Sequence, residues 1–106
     1  MTRAPRVIIT TAEAARRLDV SRERVRQLLE SGLLAGFRVE GRARARYVDL
    51  DGEGTENDRV LFSIQEAARR FGVSTSTIRR WIETGRLETF RVEGDRRVYV
   101  DLDYER

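Results

Sequence analysis

Residues 60–103 read VLFSIQEAARRFGVSTSTIRRWIETGRLETFRVEGDRRVYVDLD, and residues 7–51 read VIITTAEAARRLDVSRERVRQLLESGLLAGFRVEGRARARYVDLD. The two stretches align with an offset of 53 as far as Gly41 and with an offset of 52 from Tyr47 onward, and roughly half of the aligned positions are identical. Such a repeat is typical of one small supersecondary unit used twice. We therefore predict a tandem duplication. The predicted boundaries are a flexible tail at residues 1–6, a first unit at 7–51, a linker at 52–59 and a second unit at 60–106.

The composition argues against several classes of chemistry. The chain has no cysteine and no histidine, which removes disulfides, thiol nucleophiles, imidazole catalysis and the usual transition-metal ligands. The pairs Asp49/Asp51 and Asp101/Asp103 alternate with Val and Leu, so we interpret them as the polar face of a strand and not as a catalytic pair. We expect a protein that is not an enzyme and needs no cofactor. No apolar run approaches the ~18 residues of a membrane span and no signal-peptide core is present, so the expected location is cytoplasmic, with no membrane partner.

Each unit carries the signals of two short helices. Thr10 and Glu13 form an S/T-x-x-E capping box, in which the hydroxyl and the carboxylate each satisfy a free backbone N–H group. Ser21 stands at the N-cap position of a second helix, and Gly32 ends that helix. The same signals recur 53 residues later. Apolar residues at helical spacing predict a core-facing stripe, which consists of Val25, Leu28 and Leu29 in the first unit and of Ile78, Trp81 and Ile82 in the second.

Two segments with alternating apolar and polar residues follow the helices in each unit. Phe37 and Val39 belong to the first segment and Tyr47 to the second, with Gly41 between them, which is typical of a β-hairpin. The predicted fold is α+β, with two tandem winged helix-turn-helix modules, each made of two helices plus a β-hairpin wing, joined by a short linker. Modules of this size are near the lower limit for independent folding, and Phe37 and Phe90 would be thinly covered in separate modules. We therefore expect the two units to pack on each other or the chain to dimerise.

The order of these signals resembles a known DNA-binding module. The residues that carry the resemblance are EAARRLDVSRERVRQLLESGLL at 13–34 and EAARRFGVSTSTIRRWIETGRLETFRV at 66–92. Each unit resembles the winged helix-turn-helix module of the excisionase and MerR-like DNA-binding proteins, and this resemblance implies double-stranded DNA as the partner. The long dimerisation helix and effector domain of MerR regulators have no counterpart in the sequence, so ligand or metal sensing is not expected.

In such modules the exposed N-terminal residues of the second helix contact base edges. Arg26 and Arg79 align between the units, so we expect them to make a shared contact to phosphate or guanine. The flanking positions differ, which predicts two different target sequences; the alternative is an ordinary solvated helix face. The candidate residues on these helices are Arg22, Glu23, Arg26, Gln27, Thr75, Ser76, Arg79 and Arg80.

The hairpin loops and the first helices add further arginines; all 21 basic residues of the chain are arginine. Arginine alternates with alanine in residues 41–46, which would place three guanidiniums on one face, suited to a narrow minor groove or a row of phosphates. Asp95 partly neutralises the second loop, so we expect the first unit to bind DNA more strongly. On the first helices, backbone contacts and intrahelical ion pairs such as Glu13–Arg17 and Glu66–Arg70 are both open. The candidates in these segments are Arg42, Arg44, Arg46, Arg96, Arg97, Arg16 and Arg69.

These observations predict a sequence-specific DNA-binding protein, a small bacterial or phage transcription regulator that uses two recognition helices and arginine wings. Its two half-sites could be arranged head to tail or inverted. Two other functions stay open: an excisionase-like architectural factor that bends DNA together with an integrase, and a protein-interaction module that reuses the fold. Self-association and an integrase are therefore further candidate partners.

Overall fold

Six strands and four helices make up the described part of the computed structural model, which comprises residues 5–42, 45–51 and 59–101. In chain order they are β1 Arg6–Thr10, α1 Thr11–Leu18, α2 Arg22–Glu30, β2 Ala35–Val39, β3 Tyr47–Asp49, β4 Arg59–Ser63, α3 Ile64–Phe71, α4 Thr75–Glu83, β5 Thr89–Val92 and β6 Tyr99–Asp101. The first half of the chain (β1 to β3) and the second half (β4 to β6) therefore share one element order. Residues 1–4 of the predicted tail, residues 52–58 of the predicted linker, residues 102–106 and Arg44 lie outside the described residues. Within the described ranges, no helix is long and apolar enough to cross a membrane.

The helices begin and end at the residues that carry the sequence signals. The hydroxyl oxygens of Thr10 and Ser63 accept hydrogen bonds from the backbone N–H groups three residues later, at 3.1 Å in both cases. The same type of bond caps α2 and α4, at 3.0 and 3.2 Å. α1 ends at Asp19 and α3 at Gly72, both in the left-handed region with φ of 57° and 70°. The two predicted helix pairs are confirmed.

The strands of both halves join in one closed barrel, in the order β1-β3-β2-β4-β6-β5. β1 pairs in parallel with β5, with Ile8 opposite Val92, and β2 pairs in parallel with β4, with Val39 opposite Leu61. The predicted fold class, two tandem winged helix-turn-helix modules joined by a linker, is therefore wrong. A separate hairpin leaves two unpaired edges, and the apolar triplets before the capping boxes form the extra strands β1 and β4 that pair these edges and close the barrel.

One apolar core inside the barrel is shared by the two halves. Phe37 and Phe90 are 1% and 0% exposed and meet there with their ring centroids 4.8 Å apart. Outside the barrel, Val25 and Leu29 of α2 pack on Val48 of β3, and the second half has an equivalent cluster. The expectation that the two units pack on each other is confirmed. The described residues that are buried in this core are Ile8, Ala35, Phe37, Val39, Tyr47, Leu61, Phe90, Val92 and Tyr99.

Two aspartates that were assigned to a polar strand face are buried. Asp49 is 4% exposed and forms an ion pair with Arg6 at 2.7 Å, while Asp101 is 1% exposed and pairs closely with Arg59. Both residues lie on strands, as predicted, but their carboxylates face an arginine of the neighbouring strand in the same half and are covered by it. Asp103 lies outside the described residues. Across the described ranges, no three acidic, histidine or cysteine residues are grouped so as to hold a metal ion.

Candidate nucleic-acid interface

The exposed face of α4 carries two of the predicted arginines. Ile78 is fully buried and orients the helix, so that Ser76, Arg79 and Arg80 are exposed and Thr75 is half-buried. Over the described ranges, no hydrogen bond or ion pair engages the guanidiniums of Arg79 and Arg80. Their charge is therefore available to an external anion.

The corresponding face of α2 is partly neutralised. Arg22, Glu23, Arg26 and Gln27 are all exposed, as predicted. Arg26 forms a close ion pair with Glu23 and a second one with Glu30 at 3.3 Å, and the hydrogen bond that Arg26 donates to Glu23 is the main reason why the pKa of Arg26 is raised. A phosphate or base would have to compete with these carboxylates for the guanidinium.

The arginines of α1 and α3 are used within the protein. Arg16 binds the Glu13 carboxylate at 2.6 Å and Arg69 binds Glu66 at 2.7 Å, each with an exposed side chain. Hydrogen bonds from Arg16 and then Arg17 lower the pKa of Glu13. The ion pairs Glu13–Arg17 and Glu66–Arg70, one of the two readings left open by the sequence, are confirmed at 2.8 and 3.0 Å.

Two ion pairs across the halves were missed by the sequence reasoning. Arg17 of α1 binds Glu93, which follows β5, at 2.6 Å, and Arg70 of α3 binds Glu40, which follows β2, at 3.2 Å. Both members of each pair are identical in the two repeats, at an offset of 53. That identity was a signal of a shared role, but the sequence contained nothing to show that the partner was in the other half.

The hairpin loops differ from the predicted row of guanidiniums. Arg42 is half-buried and donates hydrogen bonds to the Tyr47 hydroxyl at 3.1 Å and to Asp95 of the other half at 3.3 Å. The bond to Tyr47 is the main cause of the raised pKa of Arg42. The backbone N–H of Arg97, and then Arg42, lower the pKa of Asp95. The side chains of Arg96 and Arg97 in the second loop are exposed.

In each half, residues of the recognition helix and the residue just before the last strand line one concave surface. In the first half this surface brings together four of the predicted site residues. The lining residues are Thr11, Arg22, Glu23, Arg26, Leu29 and Arg46 in the first half, and they include Ile64, Arg79, Ile82 and Val98 in the second. The four residues named for the second half are the repeat counterparts of Thr11, Arg26, Leu29 and Arg46, with Val98 in the place of Arg46.

A comparison with known families bears on the second half. Residues 63–99 match the model of the MerR family regulatory protein. This segment is a MerR-like helix-turn-helix module. It begins at the N-cap of α3 and ends at the first residue of β6, so the module contains α4 and the second loop. Such a module indicates a DNA-binding regulatory domain. No curated protein and no solved structure matches the chain.

Proposed function

We propose that the protein is a sequence-specific regulator of transcription that binds double-stranded DNA mainly through α4. The observation that carries the proposal is that Arg79 and Arg80, exposed and without an acidic partner in the described part of the chain, lie on the second helix of the MerR-like module. A guanidinium that is not already paired can bind guanine O6 and N7 with two parallel hydrogen bonds. Ser76 and Thr75 precede these arginines on the same helix and supply hydroxyl groups for nearby bases or phosphates.

The second loop provides phosphate contacts that orient α4. Arg96 and Arg97 are exposed in the loop before β6, where their guanidiniums can bind the DNA backbone. These contacts fix the register of a protein on the duplex but carry little sequence information. The proposal thus divides the second half into base-reading residues on α4 and positioning residues in the loop.

The first half has the weaker DNA surface in this proposal, in contrast to the expectation from its arginine content. Glu23 and Glu30 hold Arg26, and Asp95 and Tyr47 hold Arg42. An arginine that is already paired gains less from a phosphate, because the existing hydrogen bonds must first be broken.

The first experiment is a selection of binding sequences from a random double-stranded DNA library at ~150 mM salt, where purely electrostatic binding is reduced. The affinity for the selected duplex is then measured for Arg79→Ala and for Arg86→Ala. Arg86 is the matched control because it is also an exposed arginine but lies beyond the C-terminal end of α4, over the Trp81 ring at 5.2 Å.

We expect Arg79→Ala to weaken binding to the selected duplex by about 10- to 100-fold, the value of one bidentate base contact, and Arg86→Ala to change it by about twofold or less. Equal losses in the two variants would reduce the role of α4 to general electrostatics. A selection without an enriched motif would refute sequence-specific binding and favour a protein partner instead.

A further inference from the structure

The strand directions define an approximate two-fold axis within the single chain. β1, β2, β4 and β5 run in one direction and β3 and β6 in the other. A shift of three places around the barrel order converts every strand into its counterpart in the other half without changing its direction. An operation that keeps the strand direction and moves halfway around a six-stranded barrel is a rotation by about half a turn around the barrel axis.

The same axis relates the two helix pairs. α1 packs against β1 and β3, and α3 packs against β4 and β6, which lie on the opposite side of the barrel. The longest dimension of the molecule is 42 Å. In a two-fold helix-turn-helix dimer, the recognition helices enter major grooves about 34–36 Å apart. This spacing is smaller than the longest dimension of the molecule.

Both recognition surfaces lie beside the same end of the barrel. β1 and β4 lead directly into α1 and α3, and the loops after β2 and β5 emerge at that same end because these four strands are parallel to one another. The surface around Arg26 includes Thr11 and Arg46, and the surface around Arg79 includes their counterparts Ile64 and Val98. A duplex laid across this end would meet the two helix pairs in orientations related by the two-fold axis.

Symmetric contacts hold the two helix pairs at a fixed separation. The Arg17–Glu93 and Arg70–Glu40 ion pairs tie each first helix to the opposite half. The backbone N–H of Glu40 donates to the Leu61 carbonyl oxygen, and that of Glu93 donates to the Ile8 carbonyl oxygen, both at 2.9 Å. The connection between the halves is thus a continuous hydrogen-bonded sheet in addition to the predicted linker.

From this geometry, and resting on the proposed DNA-binding function, we propose that one chain binds a DNA site of two non-identical half-sites in inverted orientation, with centres about one helical turn apart. The chain takes the place of a symmetric dimer. The half-sites differ because the helices differ at three of the predicted contact positions. These are Arg22 and Thr75, Glu23 and Ser76, and Gln27 and Arg80. A head-to-tail arrangement does not follow from a two-fold axis.

The test uses the full-length protein and the duplex selected from the random library. The wild-type motif should show two unlike halves in inverted orientation. In the variant Thr75→Arg/Ser76→Glu/Arg80→Gln, α4 carries the residues of α2 at these positions, so a second selection should return a motif closer to a perfect inverted repeat. All three positions are at least partly exposed, and thermal denaturation would verify that the variant is folded.

A second measurement uses only the wild-type protein and varies the DNA. Scrambling one half-site should weaken binding by about 100-fold or more, since the second contact of a tethered pair is lost. Inserting about 5 or about 10 base pairs between the half-sites should have the same effect, because the barrel cannot lengthen to follow them. The mass of the complex should correspond to one chain and one duplex.

The outcomes separate this inference from the proposed function. A direct repeat, a single half-site, tolerance of the insertions, or two duplexes on one chain would overturn the inverted arrangement while leaving sequence-specific binding in place. A selection that enriches no motif would overturn both. An inverted pair of unlike halves that becomes more symmetric in the triple variant would establish the arrangement.

Discussion

Replacing Phe90 by alanine tests whether the two halves form one cooperative unit. Phe90 is fully buried, its ring centroid lies 4.8 Å from that of Phe37, and the Arg6 guanidinium lies 4.9 Å above its ring. Truncation of a fully buried phenylalanine costs about 3–5 kcal/mol of the free energy of unfolding, including the cavity that it leaves. A domain of this size has a total of about 5–15 kcal/mol, so the loss is a large fraction of the stability.

The assay is urea denaturation followed by two signals. Trp81, the one tryptophan of the chain, reports on the second half through its fluorescence, and far-UV circular dichroism reports on all the helices. The informative variant is Phe37→Ala, because this residue belongs to the first half yet contacts Phe90 in the shared core. We expect Phe37→Ala to shift the Trp81 transition by about 3–5 kcal/mol as well. Leu33→Ala is the control, with a residue 69% exposed and an expected change within about 0.5 kcal/mol.

The double variant measures the contact between the two rings. A tilted pair of aromatic rings contributes about 0.5–1.5 kcal/mol beyond the burial of their area. The loss of unfolding free energy in the double variant should therefore differ by that amount from the sum of the two single losses. A Phe37→Ala variant whose Trp81 transition keeps the wild-type midpoint would contradict a shared core. Separation of the two signals into independent transitions would also contradict it, since the halves would then fold without a common barrel.

Three further changes test individual groups. Asp19→Gly should raise the free energy of unfolding by up to about 1 kcal/mol, because Asp19 has a φ of 57° and Gly72 already occupies the equivalent position; a lower melting temperature would contradict this. Neighbouring arginines lower the pKa of Glu13 in the folded protein below its ordinary value of 4.5. The ion pairs of Glu13 therefore contribute their full stability at a pH above 4.5, and this stability is lost as the pH falls through the lowered pKa. Glu13→Gln should accordingly show a smaller drop in melting temperature than the wild type between about pH 6 and pH 3, and equal drops would count against the ion pairs. Glu23→Gln releases Arg26 from its closest partner and should steepen the dependence of DNA affinity on salt by up to about 0.9 in the log–log slope; an unchanged slope would show that Arg26 does not reach a phosphate.

The candidate site could be predicted from the sequence as a set of positions but not as a set of available charges. The pattern placed Arg26 and Arg79 on equivalent exposed helix faces, and both are exposed. Whether each arginine is free depends on its neighbours. Glu23 and Glu30, one turn away on either side, pair with Arg26, and this was within reach of the sequence. The pairing of Arg42 with Asp95 was not, since these residues come from different halves.

The sequence by itself determined the local structure of this protein. The hydroxyl groups of Thr10 and Ser63 cap helices because their partners lie three residues away in the chain, and Gly72 ends α3 through its own conformational freedom. Interactions of such short range need no knowledge of the rest of the fold. The segments of both hairpins were identified for the same reason, as the alternation of apolar residues is visible within a few positions.

Only the tertiary structure decided how these elements combine. The strands β1 and β4 are apolar segments of five residues whose partners β5 and β2 belong to the opposite half. Either half on its own would expose unpaired strand edges and the ring of Phe37 or Phe90, and joining the two halves removes both costs at once. This gain in stability arises only when two segments that are distant in the chain come together, so it cannot be predicted from any short stretch of the sequence. The pairing of strands from the two halves forms one barrel instead of two linked modules. This barrel sets the relative orientation of the two helix pairs.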